Sequence, residues 1–209
     1  MPQNTRLPWD VLLIGGPSGV GKSTAAKHLA RRFVVPWLQV DDLRLALQAS
    51  QVRLPDSEDT QKLYFFDTPD VWQRSAEQVR DGFIGIGEVL SPAIAKVITN
   101  HLATAEPLIL EGDGLLPSLL ARADIQAWDP DGRVQAVVVA PPDEEMILRN
   151  MLERGRGIPG RSETDLCLNA EANWLYGTWL VAEAQRFGMP VVDAMPFASL
   201  GDRIAVAGT

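Results

Sequence analysis

Residues 16–23 read Gly-Pro-Ser-Gly-Val-Gly-Lys-Ser, the spacing G-x-x-x-x-G-K-[ST], set between an apolar run and a helix-forming stretch. This placement restricts the fold more than any other feature of the chain. Val11-Leu12-Leu13-Ile14 reads as a buried strand and Thr24 to Phe33 as a helix, which is the strand–loop–helix setting the pattern requires. The glycines let backbone N–H groups turn toward one point at a helix N-terminus, where the dipole also favours negative charge. Gly16, Pro17, Ser18, Gly19, Val20, Gly21 and the adjoining Thr24 are therefore expected around the phosphates of a nucleoside triphosphate. Lys22 is expected to reach the β- and γ-phosphates, and the Ser23 hydroxyl to ligate Mg2+.

The rest of the chain alternates strand-like and helix-like segments. Trp37 to Val40, Leu108 to Leu110, Val134 to Ala140 and Pro190 to Asp193 read as further short buried strands. Helical stretches are expected over Leu43 to Ala49, Val71 to Leu90, Asp143 to Glu153, Glu163 to Phe187 and Leu200 to Val206. Ser91-Pro92 is expected to start a second helix, or a kinked continuation, running to about Ala103. Ser162 and Asp165 have capping-box spacing, and Gly188 is expected to end the long helix. Residues 51–70, with the aromatic patch Tyr64-Phe65-Phe66, read as an irregular excursion carrying part of a substrate pocket or a cover over the core. This alternation predicts a parallel sheet covered on both faces, in one domain over residues 1–209.

In an open parallel sheet, ligands bind beyond the carboxyl ends of the strands. The acids there are the candidates for chemistry: Asp41 and Asp42 after the second strand, Glu111 and Asp113 after the third. Asp41 is the first choice to hold and deprotonate an acceptor hydroxyl, with Asp42 either sharing that task or capping the next helix. Glu111 and Asp113 are expected either to hold Mg2+ or to orient the acceptor. Arg44 lies one helical turn from Asp41, where it suits an anionic acceptor.

Fifteen arginines stand against four lysines, and Arg149, Arg154, Arg156 and Arg161 fall within 13 residues. Arginine's planar fork suits bidentate phosphate binding. With Gly155, Gly157 and Gly160 interleaved, residues from about 154 to 165 have the makeup of a closing lid. The net charge of −8 disfavours a broad nucleic-acid footprint. One cysteine, Cys167, allows no internal disulfide, and no uninterrupted apolar run approaches membrane-spanning length. Together these suggest a cytoplasmic enzyme. His28 and His101 lack metal-ligand spacing, and Gly82, Gly85 and Gly87 are expected to permit close helix packing or an approach by substrate.

Ile14 to Thr24, Asp41-Asp42-Leu43-Arg44, Ile109 to Pro117 and Gly188 to Asp193 resemble the corresponding stretches of the P-loop small-molecule kinases. That group includes nucleoside monophosphate, shikimate, gluconate and chloramphenicol kinases, and the 2-phosphoglycerate kinases are the nearest in likeness. The resemblance implies strand order 2-3-1-4-5, ATP as donor, Mg2+, and contact between the acceptor and Asp41 or Asp42. It also implies a lid arginine near the transferred phosphate (Arg156, with Arg154 and Arg161 toward the nucleotide) and a segment from Ala194 to Phe197 near adenine. Residues of about 51–104 would cover the substrate. The Gly- and Arg-rich lid departs from the 2-phosphoglycerate kinases and leaves the acceptor open.

The expectation is an ATP- and Mg2+-dependent kinase acting on the hydroxyl of a small anionic metabolite, with a homo-oligomer possible. The alternative is a non-catalytic nucleotide-binding switch or regulatory NTPase. The guanine-recognition pattern Asn-Lys-x-Asp and the Leu-Ser-Gly-Gly-Gln signature are both missing from the sequence.

Overall fold

A computed structural model of the chain describes residues 7–50, 52–155 and 160–208. Five strands form one parallel sheet in the order β2-β3-β1-β4-β5, as expected. They are β1 (Val11–Gly15), β2 (Trp37–Gln39), β3 (Leu108–Gly112), β4 (Val134–Ala140) and β5 (Val191–Asp193). All five residues of β1 and all five of β3 are buried, as a strand covered on both faces requires. Between them run α1 (Lys22–Phe33), α2 (Val40–Ala49), α3 (Glu58–Leu63), α4 (Ala76–Thr104), α5 (Ala123–Trp128), α6 (Glu144–Arg154), α7 (Glu163–Arg186) and α8 (Leu200–Ala207).

Strand residues alternate between two layers of core. Val11, Leu13, Leu108 and Leu110 pack with Leu90, Ile94 and Ile98 of α4. Leu12, Ile14, Ile109, Val137 and Val139 face Leu29 of α1 and Ile204 of α8. A side-chain period of two thus commits each strand to both faces, and removing one such leucine side chain would cost about 2–5 kcal/mol.

The structure differs from the sequence reading in several places. The region taken as irregular contains α3, capped by the Ser57 side chain accepting from the Thr60 N–H at 3.2 Å. The helix expected from Val71 begins at Ala76, because Ser75 and Gln78 form a complete capping box after a 3-10 turn over Val71–Gln73. It then runs unbroken through Pro92 to Thr104. Proline removes one backbone donor there, while the Ser91 hydroxyl donates to the Gly87 carbonyl at 2.8 Å. Helix α5 was not foreseen. The second strand stops at Gln39, so Asp41 and Asp42 occupy the first turn of α2 rather than a strand end.

Helix α4 is long and apolar enough to cross a membrane, with mean hydropathy 1.4 over its best window, although the sequence showed no uninterrupted run of that kind. Half of that window is buried inside the protein, where α4 packs against α7, α3 and α5. A core helix buried from several sides is apolar nearly all round. The capping box expected at Ser162 and Asp165 is complete, and Gly188, at φ 66°, follows the end of α7.

Candidate active site

The loop after β1 wraps the N-terminus of α1. Gly16 has φ 143°, and a Cβ there would lie 2.7 Å from the Val139 carbonyl oxygen, so only glycine fits this turn. Two asparagines hold the loop from outside. The Asn173 side-chain oxygen accepts from the Ser18 N–H at 2.8 Å, and the Asn150 amide donates to the Gly19 carbonyl at 2.8 Å. Asn173 is itself fixed by donating to the Asn169 carbonyl and side-chain oxygens. Lys22 is buried, and its ammonium donates to the Pro17 carbonyl at 2.6 Å and to Asp113 Oδ1 at 2.7 Å.

Two cavities flank this loop. The phosphate-loop cavity, about 680 Å³, is lined by Gly19, Gly21, Lys22, Ser23 and Thr24, and by Phe197, whose ring lies beside Gly21. His28, Lys27 and Asn150 also line it, which sequence spacing did not suggest. The second cavity, about 280 Å³, takes Ser18 from the loop, Asp41 and Arg44 from α2, Asp113 from the segment after β3, and Arg161 just before α7. Arg154, at the end of α6, lines both cavities. The Lys22–Asp113 ion pair also crosses between them, since Lys22 borders one and Asp113 the other.

The acids differ in setting. Burial raises the Asp41 carboxyl from 3.8 to about 6; the Asp113 and Glu111 charges push the same way, while Lys22 and Arg44 oppose. Its proton affinity therefore lies near the range useful to a general base. Glu111 is 2% exposed, and its Oε1 has no hydrogen-bond partner among the described residues. A buried carboxylate oxygen left in that state calls for a cation or water. Gln39 connects it to the loop: it pairs with Glu111 across the β2–β3 ladder, and its amide donates to the Ser23 hydroxyl at 3.4 Å. Ser23, which lines the phosphate-loop cavity, and Glu111, which lines neither cavity, carry hard oxygen donors of the kind Mg2+ takes. Among the described residues no group of three or more His, Cys, Asp or Glu could hold a metal, so such an ion would draw its other ligands from phosphate and water.

Tyr176, fully buried on α7, donates its hydroxyl to the Asp113 carbonyl. Burial first, then the Asp113 and Asp41 charges, holds its phenol well above the usual range, so it stays a donor. Sequence patterning gave no hint of this contact. Asp42 is exposed in the first turn of α2 and lines neither cavity. Arg149 is exposed and paired with Glu145 at 3.1 Å, also away from both cavities. Arg156 lies outside the described residues, whereas Arg161 stacks on Trp72, its guanidinium carbon 3.9 Å from the ring centroid. Cys167 is exposed.

No family model matches the chain. A guanylate kinase of Thermobifida fusca (strain YX) is 28% identical over 152 residues, 73% of this chain and 71% of that protein. A 2-phosphoglycerate kinase of Methanocaldococcus jannaschii is 24% identical over 198 residues, 92% of this chain but 61% of that longer protein. Among solved structures, a gluconokinase from Sinorhizobium meliloti 1021 superposes with TM-score 0.50 at 19% identity, over 97% of this chain and 92% of its own. The sheet order and these likenesses are those of the P-loop small-molecule kinases.

Proposed function

We propose that this chain, similar in sequence and fold to the P-loop small-molecule kinases, transfers the γ-phosphoryl group of ATP to the hydroxyl of a small anionic metabolite. One observation carries the reading. A phosphate-loop cavity and a separate cavity containing a high-pKa carboxylate meet at Arg154 and at the Lys22–Asp113 pair. Phosphoryl transfer needs a donor site and an acceptor site meeting where positive charge can cover the moving group.

In this mechanism the phosphate loop and Lys22 hold the triphosphate, and Ser23 with Glu111 would hold Mg2+. The ion supplies charge neutralisation across the phosphates when bound. Asp41 takes the acceptor's hydroxyl proton as the new O–P bond forms and the bond to the β-phosphate oxygen breaks. Lys22 leaves Asp113 to follow the phosphates, and Asp113 turns to orient the acceptor. Arg154, which lines both cavities, would cover the charge on the transferring group together with Arg156. Phe197 borders the cavity where the nucleoside would lie.

A phosphate acceptor is the second reading, favoured by the sequence relationship to guanylate kinases. A phosphate oxygen is already anionic and needs no base. The two readings separate in one experiment, which follows ATP consumption by 31P NMR across a panel of hydroxylated and phosphorylated metabolites. With a hydroxyl acceptor, Asp41→Asn should lower kcat by about 10²–10⁴ and leave ATP affinity within about twofold. With a phosphate acceptor the same change should cost less than about tenfold. No acceptor-stimulated turnover in the whole panel would refute transfer to a small molecule.

A further inference from the structure

Beside the polar groups of Ser18, Asp41, Asp113, Asn169 and Asn173, the second cavity has two further kinds of wall. Its cationic side is Arg44, Arg154 and Arg161, none of which forms an ion pair among the described residues. Its apolar side is Phe66, Trp72, Phe83, Ile86, Leu90 and Met151. The aromatic members are fixed to one another. Phe66 lies 4.8 Å from Phe83 and 6.1 Å from Trp72, the latter pair with ring planes 23° apart. The two walls also touch: the Arg161 guanidinium sits over Trp72 at 3.9 Å, and Arg44 over Phe66 at 6.0 Å. Such seating keeps an arginine's charge available to a ligand while holding its plane in place.

This wall depends on a close approach written into the sequence. A Cβ on Gly82 would fall 2.2 Å from the Phe65 ring, so the 3-10 turn carrying Phe65 and Phe66 lies directly on α4 only because that position has no side chain. The aromatic surface is therefore part of the fold's design at this point, formed before any ligand arrives.

Resting on the reading of this cavity as the acceptor site, we infer that the acceptor is a ring-bearing anion, its planar or alicyclic body against Phe66, Trp72 and Phe83 and its charged group on Arg44 and Arg161. A short polyhydroxylated chain such as glycerate could bond to Asp41, Asp113 and the two asparagines of this cavity, but it would leave the faces of Phe66, Trp72 and Phe83 uncovered. The volume agrees with one ring and its substituents: a cavity of about 150 Å³ takes up benzene, and this one is about 280 Å³. The anion could be a carboxylate or a phosphate, and both meet arginine forks equally well.

Calorimetry and saturation-transfer NMR on the full chain, with Mg2+ and a non-hydrolysable ATP analogue present, test this with four probes. These are 4-(hydroxymethyl)benzoate, benzyl alcohol, glycerate and GMP. At least one of the two aromatic anions should bind about tenfold or more tightly than glycerate. Trp72→Leu, which keeps the position apolar but removes the ring, should weaken that anion about fivefold and leave glycerate within twofold; a thermal melt confirms the fold. Arg161→Gln should weaken the aromatic anion and leave benzyl alcohol unchanged. Binding of the benzoate alone assigns the anion as carboxylate, and binding of GMP alone as phosphate. Glycerate binding as tightly as both aromatic anions, or affinities unmoved by Trp72→Leu, would overturn the inference. An aromatic anion that binds with this pattern and is never phosphorylated upholds the inference and counts against hydroxyl transfer. Glycerate that is phosphorylated with affinity insensitive to Trp72 does the reverse.

Discussion

The phosphate-loop cavity and the arginine-lined cavity share Arg154, yet they are assembled in opposite ways. The first draws its central residues from one contiguous stretch, Gly19 to Ala25, closed by the N-terminus of a helix whose backbone does the binding. The second gathers side chains from α2, two 3-10 turns, α4, the segment after β3, α6 and α7. Binding by backbone amides tolerates few sequences and so leaves a readable pattern. Binding by scattered side chains is set by packing, and the same pocket can be lined in many ways, which is how one fold serves many acceptors.

The sharpest way to break this contrast is Lys22→Met. Lys22, like Arg154, is tied to both cavities, through its place in the loop and its pair with Asp113. Transfer should fall by about 10²–10³, as for loss of one donor to a developing charge, while binding of the acceptor changes little. Steady-state kinetics with a separate acceptor titration would show it. An equal loss in acceptor affinity would mean that the two cavities are one site.

Asp41 gives a smaller, pH-resolved test. Only its ionised form can accept a proton, so kcat/KM should drop with unit slope as pH falls through about 6. A flat profile from pH 5 to 8 would remove Asp41 as base. The same group makes a statement about stability. Its folded pKa, about 6, exceeds the ordinary 3.8, so between these values the folded chain binds more protons than the unfolded one. Stability therefore falls as pH rises from about 4 to about 6, and the cost is complete above that. Asp41→Asn should stabilise the chain by roughly 1–3 kcal/mol at pH 7 and by nothing below pH 4, measured by urea unfolding. Such a gain would mark Asp41 as a group held against folding for the sake of chemistry.

The smallest expected effect is confined to one cavity. Gly82→Ala forces the Phe65 ring to move, costing about 1–3 kcal/mol, and should raise acceptor KM with ATP KM unchanged. A shift in ATP KM would show that the aromatic wall and the phosphate loop are mechanically joined, most directly through α7, whose Asn173 holds Ser18.

Sequence legibility followed the same division. The five strands and the loop were readable because apolar runs and the glycine spacing are local, whereas the strand order came from the resemblance to P-loop kinases. Asp41 and Asp113 could be named because strand ends point to the site, Arg44 because it lies one helical turn from Asp41, and Arg154 and Arg161 because arginines and glycines cluster there. Phe66 belonged to an aromatic patch read as part of a pocket or a cover, but Trp72 could not be named, since its role depends on where a 3-10 turn lies against the other rings. Asn169 and Asn173 did leave a signal: two amides at i, i+4 spacing on a helix with apolar neighbours, suggestive of a buried polar contact. Ser75 and Gln78 likewise spelled out the start of α4. Tyr176 left none, because a buried tyrosine among apolar residues looks like core until its partner is known.

The central claim is that phosphoryl transfer occurs across the boundary marked by Lys22, Asp113 and Arg154. A crystal structure with ADP, Mg2+ and aluminium fluoride tests it most directly, because the fluoride mimics the group in flight. The account predicts the aluminium at that boundary, Lys22 drawn from Asp113 onto the fluoride, and Asp41 facing its open side. Aluminium facing bulk solvent, with the Lys22–Asp113 pair still closed, would contradict it.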